Sequence, residues 1–415
     1  MTETIIRLSR EYGGDRRWAI AGGGNTSVKS ETHLSIKASG RSLGTLSEEG
    51  LVVMDRAALA DLFERRYPDD EAERERQALA DLMNARAAGQ GELRPSVETL
   101  MHDVFAQRFV VHTHPTLVNA LTCAVDGERH AREIFGDEVI WVPVVHPGYV
   151  LGLVVRDAVT AFRRERGREP WLMLLANHGL VVAGESEEEL RQRQRTVIEA
   201  IAGRMSEDDA RLLRPSAGLD SAAERSTGGR GGGYADRPGA GASASAAIER
   251  WIEQLRAAWA EAGEDEPVIV ADSDENFAEQ SVNPALLHER LREPFSPDHL
   301  VYAFRTPLIL EGDSGDTSDS GPPSDGAIAS RIRTFRDSYG RPPRVVIVPS
   351  LALFGVAPAE PVARAAAALC LDALLIARGA AAFGGYAFMP EEQIRFIEGW
   401  EVERFRLKQS EQGGG

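Results

Sequence analysis

The chain has 415 residues, more than one compact domain usually holds, so two domains are expected. Acidic residues outnumber basic ones, 64 to 47, for a net charge of −17; such a surface repels nucleic acid and anionic membranes, and neither is expected as a partner. Two cysteines, Cys123 and Cys370, give no disulfide framework, and Met1-Thr2-Glu3-Thr4-Ile5-Ile6-Arg7 has no signal-peptide core, so the expected location is the cytoplasm.

In chain order, the first distinctive segment is Ala21-Gly22-Gly23-Gly24-Asn25-Thr26-Ser27-Val28-Lys29. Glycines let backbone N–H groups converge on a phosphate, and Asn25, Thr26 and Ser27 add side-chain donors. The segment matches neither the P-loop nor the dinucleotide fingerprint, and by itself a plain glycine turn is the commoner explanation. Residues 34–37 and 51–54 read as short strands, with Lys37-Ala38-Ser39-Gly40 a polar turn after the first. Residues 57–66 read as a helix, and residues 69–76 as its solvated, charged neighbour.

Glu98 follows in Pro95-Ser96-Val97-Glu98-Thr99-Leu100-Met101-His102. His112 and His114 close the β-branched run Phe109-Val110-Val111-His112-Thr113-His114-Pro115, which reads as a strand. Positions i and i+2 of a strand share a face, so both imidazoles can reach one ion. His178 ends a second apolar run, Leu174-Leu175-Ala176-Asn177-His178, and Gly179 after it suits a close backbone approach. Either histidine of the pair, taken singly, is more often a hydrogen-bonded core residue. Three imidazoles with a carboxylate or an open position form a catalytic zinc-type donor set. His102 lies one helical turn from Glu98; it could orient the carboxylate or be a plain helix residue, and the second reading is preferred.

A long amphipathic helix is expected over residues 187–205. Residues 213–246 are rich in Gly, Ser and Ala and read as a flexible linker; a tract at 312–326 reads as a disordered loop inside the second domain. The domains are therefore expected at 1–212 and 247–411. An offset of 173 residues sets Leu174 to Val182 against Ile347 to Gly355, each followed by a long helix, with Leu351 in the place of His178. This suggests a second copy of the fold without the metal site; convergent strand–helix patterning is the alternative. The apolar stretch near residues 365–383 is interrupted by Asp372 and Arg378 and reads as a buried helix.

Gly24-Asn25-Thr26-Ser27, Ser39-Gly40, Pro95-Ser96-Val97-Glu98, His112-Thr113-His114 and Asn177-His178-Gly179 resemble, in order and spacing, the class II aldolase/adducin family over residues 10–205. Their wording is most similar to the aldolase part of bifunctional rhamnulose-1-phosphate aldolase/dehydrogenase proteins, and Phe295-Ser296-Pro297-Asp298-His299 extends that likeness. No GxGxxG after a strand is present, so no dehydrogenase domain is expected. The resemblance implies an α/β (α+β layered) fold, a central sheet flanked by helices, and a homo-oligomer. It implies Zn²⁺ or another divalent metal on His112, His114 and His178, with Glu98 as acid/base and resting ligand. It places a substrate phosphate among Gly24, Asn25, Ser27, Ser39, Gly40 and Ser96. The implied reaction cleaves a small phosphorylated sugar, such as rhamnulose or fuculose 1-phosphate, to dihydroxyacetone phosphate and a short aldehyde. Val97 stands where fuculose-type enzymes have a second serine, which leaves the sugar open. An epimerase, dehydratase or decarboxylase would use the same core; an adducin-like interaction protein would not need Glu98 and the three histidines.

Overall fold

The computed structural model describes residues 1–91, 93–216, 242–273, 275–310 and 324–411. The chain divides into two compact units. One comprises Met1–Leu219, Phe295–Pro297 and Leu375–Gly415, the other Asp220–Pro294 and Asp298–Leu374.

The first unit holds seven strands: β1 (Asn25–Lys29), β2 (His33–Lys37), β3 (Leu51–Asp55), β4 (Phe109–Thr113), β5 (Val139–Val142), β6 (Leu172–Leu175) and β7 (Gly179–Gly184). They pair in the order β3-β2-β1-β4-β7-β6-β5, all antiparallel except β5 with β6. Helices cover both faces, which is why β4, β6 and β7 are buried throughout. Alternation along β4 assigns the faces. Phe109 and Val111 pack in one core with Leu117, Leu121, Val197 and Ile198. Val110 packs in another with Met101, Phe105, Val155 and Val159. His112 has the parity of Val110, so it faces the side of helix Thr99–Val104.

The second unit has β8 (Val268–Asp272), β9 (Leu308–Ile309), β10 (Val345–Val348) and β11 (Ala352–Ala357), in the order β8-β11-β10-β9. This is the permutation of β4-β7-β6-β5, with the same directions: the last two of each set are parallel and the other neighbours antiparallel. Leu172 faces Val182, and Val345 faces Gly355, so the offset of 345 − 172 = 173 residues holds in the ladders. Asn177 (φ 51°) and Ser350 (φ 60°), also 173 apart, are both left-handed. Through the partners Val181 and Phe354, His112 corresponds to Ala271, and hence His114 to Ser273 and His178 to Leu351. The second sheet therefore repeats the topology of half the first, without imidazoles at the three positions.

Three expectations shift. Asn25, Thr26 and Ser27 read as loop in the sequence but begin β1, because β1 lies between β2 and β4 and both ladders take up its backbone groups. The long C-terminal helix runs Glu360–Gly379, and the residues after it group with the first unit instead of the expected second domain at 247–411. The reason is packing: Ala380 and Phe383 are fully buried in the core that holds Leu117, Leu121 and Ile198. Most of the expected linker, residues 217–241, and loop residues 311–323 lie outside the described residues; residues 242–246 already belong to helix Ala242–Ala262. The segment Glu360–Phe383 is long and apolar enough to cross a membrane, but 78% of its apolar window is buried, as befits a core helix.

Candidate metal centre

Strand β4 presents His112 and, just past its end, His114; the turn from β6 to β7 presents His178. One ring nitrogen from each lies within 4.8 Å of the others. Ring centroids are 4.7 Å apart for His112 and His114, 4.9 Å for His112 and His178, and 5.0 Å for His114 and His178. His112 Nδ1 lies 2.9 Å from the Leu180 carbonyl, the geometry of an N–H donating to it, which turns Nε2 toward the other two imidazoles as the candidate ligand atom. His114 Nε2 is 3.0 Å from that atom. Gly179 makes the convergence possible: a Cβ there would sit 2.8 Å from the His114 ring and 2.5 Å from the Thr113 carbonyl. Three converging imidazole nitrogens, one of them fixed in tautomer, fit a divalent ion.

Glu98 enters from the N-cap of helix Thr99–Val104. Its Oε1 lies 3.1 Å from His178 Nε2 and 3.5 Å from His112 Nε2, and its Oε2 accepts from Asn25 Nδ2. Burial pushes the carboxyl up, but His112 and His178 outweigh it and hold it well below the usual range. Asn25 reaches this position because it pairs with His112 across β1 and β4.

The alternation that brings in Asn25 continues along β1. Ser27 Oγ lies 2.8 Å from His102 Nδ1, and Lys29 Nζ donates to the carbonyls of His102 and Phe105, both at 2.6 Å. One strand face thus holds the Glu98 helix at its start, middle and end. Burial pushes Lys29 down to about 7 and His102 down to about 3. His102 is therefore more than the plain helix residue expected, and Ser27 is fully buried against it instead of standing open to a ligand. Ser96 Oγ accepts from the Glu98 amide at 3.2 Å, Ser39 donates its amide to the Arg94 carbonyl at 2.9 Å, and Gly24 and Gly40 have φ of 73° and 77°. The polar spacing Asn25, Ser27, Lys29 within a buried strand was a readable sign of the clamp.

Asn177 was visible only as the neighbour of His178. Its Nδ2 donates to the Phe295 carbonyl at 3.0 Å and the Ala387 carbonyl at 2.9 Å. A cleft beside His178 is lined by Val142, Val145, Leu151, Pro297, Met389 and Gln393.

Residues 3–202 match the family described as Class II Aldolase and Adducin N-terminal domain, and residues 339–407 match Aldolase class II, second domain. The first part of the chain is thus a class II aldolase/adducin domain, and the fold is that of class II aldolases with a second domain appended. The chain is similar to the uncharacterized oxidoreductase YuxG of Bacillus subtilis (strain 168), 24% identical over 438 residues, 98% of this chain and 58% of that protein. It thus spans less than two thirds of that relative's length. Among solved structures it is similar to the N-terminal class II aldolase domain of a conserved protein from Thermoplasma acidophilum (25% identity, 49% of this chain and 92% of that one, TM-score 0.41). It is also similar to L-fuculose-1-phosphate aldolase from Thermus thermophilus (20% identity, 48% and 90%, TM-score 0.31).

Proposed function

We propose that the protein is a metal-dependent aldehyde-lyase that cleaves a ketose 1-phosphate to dihydroxyacetone phosphate and a short aldehyde. The observation that carries this reading is the Glu98 carboxylate, buried and facing His112 and His178 within a class II aldolase/adducin domain. A divalent ion on His112, His114 and His178, which we assign as zinc, supplies Lewis acidity toward substrate oxygens. Breaking the C3–C4 bond removes the proton of the C4 hydroxyl and leaves the electron pair on C3, which must be protonated. Glu98 is the group we assign to that proton traffic, one oxygen toward the imidazoles and the other held by Asn25. We assign the substrate phosphate to Gly24, Asn25, Ser39, Gly40 and Ser96; Ser27, committed to His102, supports Glu98 instead. The apolar wall of Val142, Leu151 and Met389 suits an aldehyde end with few hydroxyls.

The test is a panel of ketose 1-phosphates, including those of rhamnulose and fuculose, assayed for release of dihydroxyacetone phosphate by metal-loaded protein. Release from at least one supports the reading. Conversion of a sugar without that product would replace it with an epimerase or dehydratase.

A further inference from the structure

We propose that Asn177 is a positioning residue for His178, and that it makes metal affinity depend on two segments far along the chain, Phe295–Pro297 and residues 386–388. The proposal rests on the reading that His112, His114 and His178 bind a divalent ion. The turn from β6 to β7 is three residues long, Ala176-Asn177-His178, and each of its amides is held by a different place. Ala176 donates to the Val142 carbonyl (2.9 Å), Asn177 to Thr122 (3.0 Å) and His178 to Leu175 (3.2 Å). Asn177 takes the left-handed conformation, φ 51°, that asparagine tolerates better than other side-chain-bearing residues. With its backbone so fixed, the residue is 7% exposed and its side chain spends both amide protons on carbonyls 118 and 210 residues away.

Those carbonyls are themselves held. The Ala387 amide donates to the Cys123 carbonyl at 2.7 Å, one residue past helix Thr116–Thr122, which starts two residues after His114. The Phe295 ring stacks on Phe388 with centroids 4.9 Å apart and meets Tyr386 at 5.7 Å. The turn that aims His178 is thus anchored on the same helix that follows His114, and on an aromatic cluster outside residues 3–202. Groups that orient an imidazole ligand from outside the coordination sphere typically govern metal affinity by roughly 10- to 100-fold.

The experiment measures Zn²⁺ affinity by chelator competition, and the visible spectrum of the Co²⁺ form, in full-length wild type, Asn177→Gly and Phe388→Leu. Glycine keeps the left-handed backbone and removes only the tether. The expected result is Zn²⁺ binding weakened roughly 10- to 100-fold in Asn177→Gly, with a changed Co²⁺ spectrum, and a smaller loss in Phe388→Leu. Wild-type affinity and spectrum in Asn177→Gly overturn the proposal. If that variant does not fold, wild-type values in Phe388→Leu overturn it. Failure of the wild type itself to bind either ion would sink the metal reading, and the proposal with it.

Discussion

Ser27 and His102 meet side chain to side chain, Oγ 2.8 Å from Nδ1, with both residues fully shielded from solvent. The contact ties β1 to the helix that carries Glu98, and it makes an ionisable group part of the support.

Burial, with His112 nearby, pushes the His102 pKa from its ordinary 6.5 down to about 3. Between those values the unfolded chain binds a proton that the folded chain refuses, so stability falls as pH drops from 6.5 toward 3. The limiting slope is about 1.4 kcal/mol per pH unit. Urea denaturation across that range should show a shallower slope in His102→Asn than in wild type. Equal slopes would mean that His102 does not contribute.

The protein should carry about one divalent ion per chain, as expected of three converging imidazoles. Elemental analysis should find it in wild type and find it lost in His112→Ala and His178→Ala. Full retention in both variants would remove the site.

Glu98→Gln preserves the shape of the side chain and its contact with Asn25 but can neither take up nor release a proton near neutral pH. It should keep the fold and much of the metal while turnover drops by roughly 10² or more. Steady-state rates on a substrate found in the panel, set beside metal content, decide the matter. Undiminished turnover would take Glu98 out of the mechanism.

A fragment ending at Leu212 should retain the three histidines yet be less soluble or differently assembled. It lacks Ala380 and Phe383, which fill the core around Leu117, Leu121 and Ile198, and the Ala387 and Phe295 carbonyls that hold Asn177. Exposed core of this kind favours association. Sedimentation of the fragment beside the whole chain checks this; identical assembly and metal affinity would contradict it.

The convergence of the three histidines was legible because its rules are local. Alternation puts His112 and His114 together, and Gly179 marks the close approach. The glycine-rich segment misleads in part for a related reason. Glycines at 22–24 suggest that the polar run after them is loop as well, whereas the pairing of β1 with β4, more than eighty residues later, makes it strand. The duplicated strand pattern was readable from two aligned segments, but the full match of sheet order needed β8 and β9, which are short and lack a motif. Asn177 could not be interpreted from sequence, because the carbonyls it binds lie 118 and 210 residues away and belong to backbone, which has no residue signature.

The left-handed turn residue recurs in both sheets, at Asn177 and at Ser350, yet only one of these turns delivers an imidazole. The bend is therefore a property of the scaffold and does not require coordination to form. Small zinc modules order only when the ion arrives, so ligation and folding are one event. Here the two are expected to be separable: a chelator should strip a bound ion and leave the architecture standing, ready to be reloaded.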